Sequence, residues 1–199
     1  MKKLVLPIFA VAALMFSSCF SSSGMYSSKY EVTLSSVESP ANAKQQFGET
    51  KVVSFTEDGQ SKYSYEDDYI KIIWYVSRTE FHFNLTNKTT HSIKLNWDDF
   101  SYVSTTGQVG RVMHTGVKFI DRNNSQPATM IPRGASISDI LVPTDNIFYS
   151  QYGGWQQNNL VRGENVIGKT MVVLMPIMIE NVQNDYTFTF KVNPKQIGN

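Results

Sequence analysis

The sequence predicts an all-β protein made of antiparallel sheets, and three observations predict it. Aromatic residues make up 13% of the chain and are interleaved with β-branched residues and with Asn, Thr and Ser, the composition of half-buried pleated surfaces. Beyond Gly48 the apolar period becomes two, which places successive side chains on opposite faces of a strand. Turn residues punctuate these runs at short intervals, as two packed antiparallel sheets require.

Taken in order, residues 30–34 (YEVTL) form a first strand. Residues 39–48 read as one short N-terminal helix, with Ser39 as N-cap, Pro40 at the first helical position and Gly48 just past the end. Residues 51–56 (KVVSFT) are a strand, and Glu57-Asp58-Gly59-Gln60 supplies an Asp-Gly turn into a second strand near 62–65. Residues 69–76 (YIKIIWYV) are apolar on nearly both faces, as a central strand is. Residues 79–86 alternate, with Phe81, Phe83 and Leu85 directed inward and Glu80, His82 and Asn84 outward. Asn87-Lys88-Thr89-Thr90 then turns the chain into 91–97, where Ile93, Leu95 and Trp97 take the inward face.

Two consecutive alternating strands, the second ending in a buried tryptophan, resemble the centre of an immunoglobulin-like antiparallel β-sandwich. The disulfide that antibody domains pack on that tryptophan is absent, because the chain has one cysteine. The expected architecture is therefore the sandwich alone, with further strands at 100–103, 110–113, 130–131, 137–142, 171–179 and 185–192. With no internal repeat or composition break after about residue 50, residues 30–199 are read as a single domain.

The N-terminus reads as a targeting segment. Met1-Lys2-Lys3 is followed by an uncharged run over 4–16 and then by Ser17 and Ser18, the order of a secretory signal. The run of 13 residues is shorter than the ~20 a membrane span needs. Phe16-Ser17-Ser18-Cys19 resembles a lipobox, with Phe16 where Leu is usual. The resemblance implies a diacylglyceryl group on Cys19 and cleavage before it, giving a signal peptide over 1–18 and a Ser-rich tether over 19–29 (CFSSSGMYSSK). The other reading is an ordinary signal peptide that happens to contain a cysteine. More than one acyl chain anchors a protein stably, so the membrane would be held through the N-terminal lipid. No Asp follows Cys19 and no acidic tract lies nearby, which by the same resemblance implies the outer membrane and its periplasmic face.

Charge excludes one class of partner. Without Lys2 and Lys3 the 18 basic and 17 acidic residues become 16 and 17, a balance of −1. Such a surface has no electrostatic footprint for nucleic acid.

No residue pattern specifies catalysis, a metal or a cofactor. His82, His91 and His114 form neither an HExxH motif nor a helical pair, and His82 and His91 read as surface residues. Asp98-Asp99 lacks the alternate ligand spacing of a calcium loop, and adjacent strand positions point to opposite faces, so the pair reads as turn capping. Ser136 and Ser138 lack a GxSxG context.

Residues 145–163 are more informative. They read as a long, structureless connection carrying Tyr149, Tyr152, Trp155 and Gln156, and such connections in compact domains are functional or disordered. The aromatics with flanking Gln and Asn suit stacking on a sugar ring or anchoring a protein. Alternatively they fold back as a lid over one open end of the core, the reading favoured for an all-β domain.

Residues 110–119 (GRVMHTGVKF), Pro127 and Gln151-Tyr152-Gly153-Gly154-Trp155, together with Asn87-Lys88-Thr89 and Leu95-Asn96-Trp97, resemble a family of small bacterial lipoproteins without an established activity. The resemblance spans about residues 70–165 and implies fold and location, but no catalytic residue. The expected role is non-catalytic binding or structural support at the cell envelope, with a protein or glycan partner. The alternative is a hydrolase-type envelope enzyme whose site is assembled from dispersed carboxylates.

Overall fold

The computed structural model describes residues 30–38 and 52–195. Within them lie fourteen strands: β1 (Tyr30–Glu38), β2 (Val53–Glu57), β3 (Gln60–Glu66), β4 (Ile70–Val76), β5 (Phe81–Asn87), β6 (Ile93–Leu95), β7 (Ser101–Val103), β8 (Val109–Met113), β9 (Thr129–Ile131), β10 (Ser136–Pro143), β11 (Ile147–Ser150), β12 (Gly154–Gln157), β13 (Thr170–Ile179) and β14 (Val182–Pro194). The protein is predominantly antiparallel β, as its alternation predicts. The helix expected over 39–48 lies outside the described residues.

Ten strands follow one hydrogen-bonded path, β1-β14-β13-β7-β8-β10-β5-β4-β3-β2, while β6 joins β13 to β9 and β11 pairs only with β12. β8 and β10 are linked by just two residue pairs, Met113 with Val142 and Val112 with Pro143. The path therefore divides there into two halves, and their inward aromatics meet. The Trp74 ring on β4 lies 5.0 Å from Phe188 and 5.4 Å from Phe190 on β14, and Phe81 on β5 lies 4.9 Å from Phe190. Trp74 and Trp97 are both buried, and one apolar core runs from Leu34 to Val192.

Local chemistry fixes the register. Asp58 and Gly59 have φ of 52° and 72°, the paired left-handed conformation of a two-residue hairpin turn, which Asp-Gly adopts at low cost. β13 and β14 turn the same way through Glu180 and Asn181, with φ of 47° and 67°, so β14 starts three residues earlier than the sequence suggested. Pro176 interrupts β13 without breaking it. On the side away from β14, β13 pairs with β7 over 172–174 and with β6 over 177–179, and the proline, which has no N–H, falls in the gap.

One anchor joins the halves. The Asp67 carboxylate accepts from the Tyr65 and Tyr186 hydroxyls, each at 3.0 Å, and from the Tyr69 and Ile70 amides, each at 2.8 Å. Burial, with the Asp67 charge beside it, pushes the Tyr186 hydroxyl far above its ordinary range.

Candidate functional site

Residues 145–157 form a hairpin, contrary to the expectation of a long irregular connection, while 158–163 remain irregular. A 3-10 turn at Thr144–Asn146 leads into β11, which pairs with β12 so that Tyr149 faces Trp155 and Phe148 faces Gln156. The tip is specified by glycine. Gly154 has φ of 66°, and a Cβ at Gly153 would stand 2.0 Å from Gln156 Nε2. The base is fixed by burial of Ile147 against Met113 and Val142, and by bonds from Gln157 Nε2 to the Thr79 carbonyl (2.9 Å) and from the Asn158 amide to the Asn146 carbonyl (2.8 Å).

Toward the tip the hairpin exposes its aromatics. Tyr152 is 96% exposed and Tyr149 66%, with Phe148 and Trp155 each at 37%. The Tyr149 ring meets the Trp155 ring edge-on, 5.5 Å between centroids. The Arg122 guanidinium lies 5.0 Å from the Trp155 ring centroid while Nη1 donates to the Phe119 carbonyl at 3.1 Å. Gln156 is exposed. The aromatics are not the lid of the core. Leu160 and Val161 are the buried residues of this segment that join it, with the Leu160 amide bonded to the Arg78 carbonyl and the Tyr30 hydroxyl to the Val161 carbonyl.

A second cluster was not legible in the sequence. His114 stacks flat on Trp97, with centroids 4.1 Å apart and planes 7° apart, and its Nδ1 lies 3.2 Å from Asp139 Oδ2. Asp139 Oδ1 also accepts from the Thr115 amide (2.9 Å) and the Ile140 amide (2.7 Å). Burial pushes the Asp139 carboxyl up, but the bonds from His114, Thr115 and Ile140 outweigh it and hold the group below its ordinary value. Gln126 links this cluster to Asp98, accepting from the His114 amide and donating to the Val112 carbonyl.

Asp98 does more than cap a turn. It accepts from Arg111 Nη2 (2.7 Å), the Ser125 hydroxyl and the Gln126 amide, and its carboxyl is lowered, first by the Ser125 bond and then by Gln126 and Arg111 against an opposing contribution from burial. Asp99 is the local partner, taking a bond from Asn96 Nδ2 at 2.6 Å.

The remaining named residues lie apart. His82 sits 3.3 Å from Glu80 on the outer face, and His91 2.5 Å from Glu180. The Ser136 hydroxyl bonds Thr86 and that of Ser138 accepts from Asn84. A shallow cleft of about 340 Å³ crosses the outer face of β3, β4, β5 and β10, lined by Tyr75, His82, Asn84 and Asp139 among others. Among the described residues, no three His, Cys, Asp or Glu side chains are grouped to hold a metal ion, and no helix is long and apolar enough to cross a membrane. Cys19 lies outside the described residues.

Fold and surface together define a predominantly antiparallel β protein that displays an aromatic hairpin. Comparison of the chain with protein-family models, with curated proteins and with solved structures finds no match.

Proposed function

We propose that this chain is a cell-envelope lipoprotein acylated at Cys19, held at the periplasmic face of the outer membrane, whose immunoglobulin-like β-sandwich has a non-catalytic binding or structural role. Its recognition surface is the hairpin bearing Tyr149, Tyr152 and Trp155. The observation that carries this reading is the hairpin itself. A soluble domain gains nothing in stability by showing water four large aromatic side chains on one hairpin over residues 147–157, and such clusters mark interaction sites. The sandwich assignment is supported by the two inward faces that share one core, with Trp97 buried at the end of the alternating run.

Two variants test the two halves of the proposal. Cys19→Ala should abolish palmitate labelling and let the protein be washed from membranes without detergent, and continued labelling with retention that only detergent reverses overturns the anchor. The released Cys19→Ala chain should cosediment with isolated envelope fragments. Adding Trp155→Ala and Tyr152→Ala should remove that cosedimentation, and undiminished binding overturns the surface.

A further inference from the structure

The geometry points to a lipid surface as the partner of the aromatic hairpin: Tyr149, Tyr152 and Trp155, with Arg122 over the Trp155 ring, form an interfacial contact for an anionic phospholipid bilayer. The inference rests on the hairpin being the recognition surface and deepens that reading.

Four observations favour lipid over a protein or glycan. First, residues 146–161 contain no charged side chain, with Asp145 and Arg162 as the flanking charges. The hairpin can therefore enter the headgroup region without desolvating an ion, and Tyr and Trp are the residues that prefer that depth. Second, the one cation over it is available. Arg122 forms no ion pair among the described residues, its Nη1 bond to Phe119 holds it against Trp155, and exposed Ile120 stands two residues away. That places an unpaired guanidinium where a lipid phosphate would meet it, next to rings that would sit deeper.

Third, the exposed area is small. Tyr149, Tyr152 and Trp155 offer on the order of 400 Å², below the ~800 Å² per partner of a standard protein interface. Tyr152 projects from the turn between β11 and β12 and is 96% exposed. Fourth, the chain enters the domain at the same end. Tyr30, the first described residue, bonds the Val161 carbonyl, and Leu160 and Gln157 bond the β4–β5 turn at Arg78 and Thr79. Ten residues separate Cys19 from Tyr30, and a chain of that length reaches at most about 35 Å. Acylation at Cys19 would thus keep the hairpin within reach of the bilayer and raise its effective concentration there.

The protein supplies its own probe. Trp74 and Trp97 are buried, while Trp155 is 37% exposed, so Trp155 alone should respond to a surface. Full-length chain purified from membranes, and the Cys19→Ala chain, are each mixed with vesicles of phosphatidylcholine alone or with phosphatidylglycerol, carrying brominated acyl chains. The Trp155 component should shift to shorter wavelength and be quenched on the anionic vesicles, in both forms or in the acylated form alone. Trp155→Phe should remove the quenchable component. Arg122→Gln should weaken partitioning on anionic vesicles about fivefold, the loss of roughly one basic contact, and leave neutral vesicles unaffected.

Absence of quenching in both forms overturns the lipid contact, as does quenching that survives Trp155→Phe. A blue shift produced by envelope glycans or envelope proteins in the absence of vesicles also overturns it, while leaving the hairpin as a recognition surface. Failure of that broader reading is separate: the variants with Trp155→Ala and Tyr152→Ala would then still cosediment with envelope fragments.

Discussion

Replacing Asp139 by Asn tests whether the His114 cluster holds the middle of the molecule together. The substitution keeps shape and leaves one oxygen for the Thr115 and Ile140 amides, but it places an NH₂ opposite His114 Nδ1, 3.2 Å away. His114 can then keep a bond only as an acceptor, with its proton on Nε2. One charge-assisted hydrogen bond is lost, worth about 1.5–3 kcal/mol. The Asp139 side chain is 12% exposed, so solvent screening removes little of this, while burying a neutral amide instead of a carboxylate returns part of it. The net cost is about 1–2 kcal/mol at neutral pH, or a Tm lower by about 2–8 °C for a domain of this size. The pH dependence identifies the cause. The folded carboxyl lies below its ordinary value of 3.8, so its contribution is complete above that value and disappears as pH falls through the lower, folded one. Thermal unfolding followed by near-ultraviolet circular dichroism should show a gap between parent and variant at pH 7 that is narrower at about pH 3, below the ordinary value of 3.8. An equal gap at both pH values, or none at pH 7, refutes the assignment.

Three other outcomes are expected. Trp74→Ala removes a fully buried indole that touches Phe83, Phe188 and Phe190, and should cost about 3–5 kcal/mol in denaturant unfolding. Gly154→Ala forces a Cβ onto φ of 66°, so it should cost about 1–2 kcal/mol and broaden the hairpin resonances without altering those of β13 and β14. Tyr102 is buried, its hydroxyl lacks a hydrogen-bond partner among the described residues, and burial pushes it up to about 12, partly offset by Arg162. Because the folded group keeps its proton longer than the unfolded one, stability should fall as pH rises from about 10 to 12, with a delayed tyrosinate absorbance change that Tyr102→Phe removes.

The strands were legible where one side chain in two is large and apolar. In β5 the alternation of Phe81, Phe83 and Leu85 with His82, Asn84 and Thr86 matches the burial residue for residue, because one face meets the core and the other meets water. The β2–β3 turn was legible because Asp-Gly relieves two positive φ angles at once. The β13–β14 turn was not, since Glu180 and Asn181 adopt the same geometry without glycine. There the tertiary pairing of two long strands outweighs the local preference of Glu180. Partner choice was equally hidden: β6 follows β5 in the chain but pairs with β13 and β9, and period-two alternation specifies which face is buried without specifying which strand lies alongside.

The candidate sites divide along the same physical line. Tyr149, Tyr152 and Trp155 could be named from composition alone, but their hairpin could not, because β11 and β12 are four residues each and hold polar Gln and Ser where a longer strand would show alternating apolar residues. The segment then reads as loop, and a loop rich in aromatics invites the inference of a lid. The residues that do join the core, Leu160 and Val161, carry no pattern that separates them from their neighbours. The His114 cluster depends on still longer range. Asp139 is 25 residues from His114, and the two meet because Met113, the residue before His114, pairs with Val142 in a ladder of two residue pairs. A contact held by so short a ladder needs support from elsewhere, and the Trp97 stack and the Gln126 and Asp98 bonds supply it from the segments on either side. The same logic explains why Arg122 sits over Trp155: the 119–126 segment is tied down by Asp98 and Arg111 at one end and by Phe119 packed on the Met113, Val142 and Ile147 cluster at the other, so the cation is held in place beside the exposed indole.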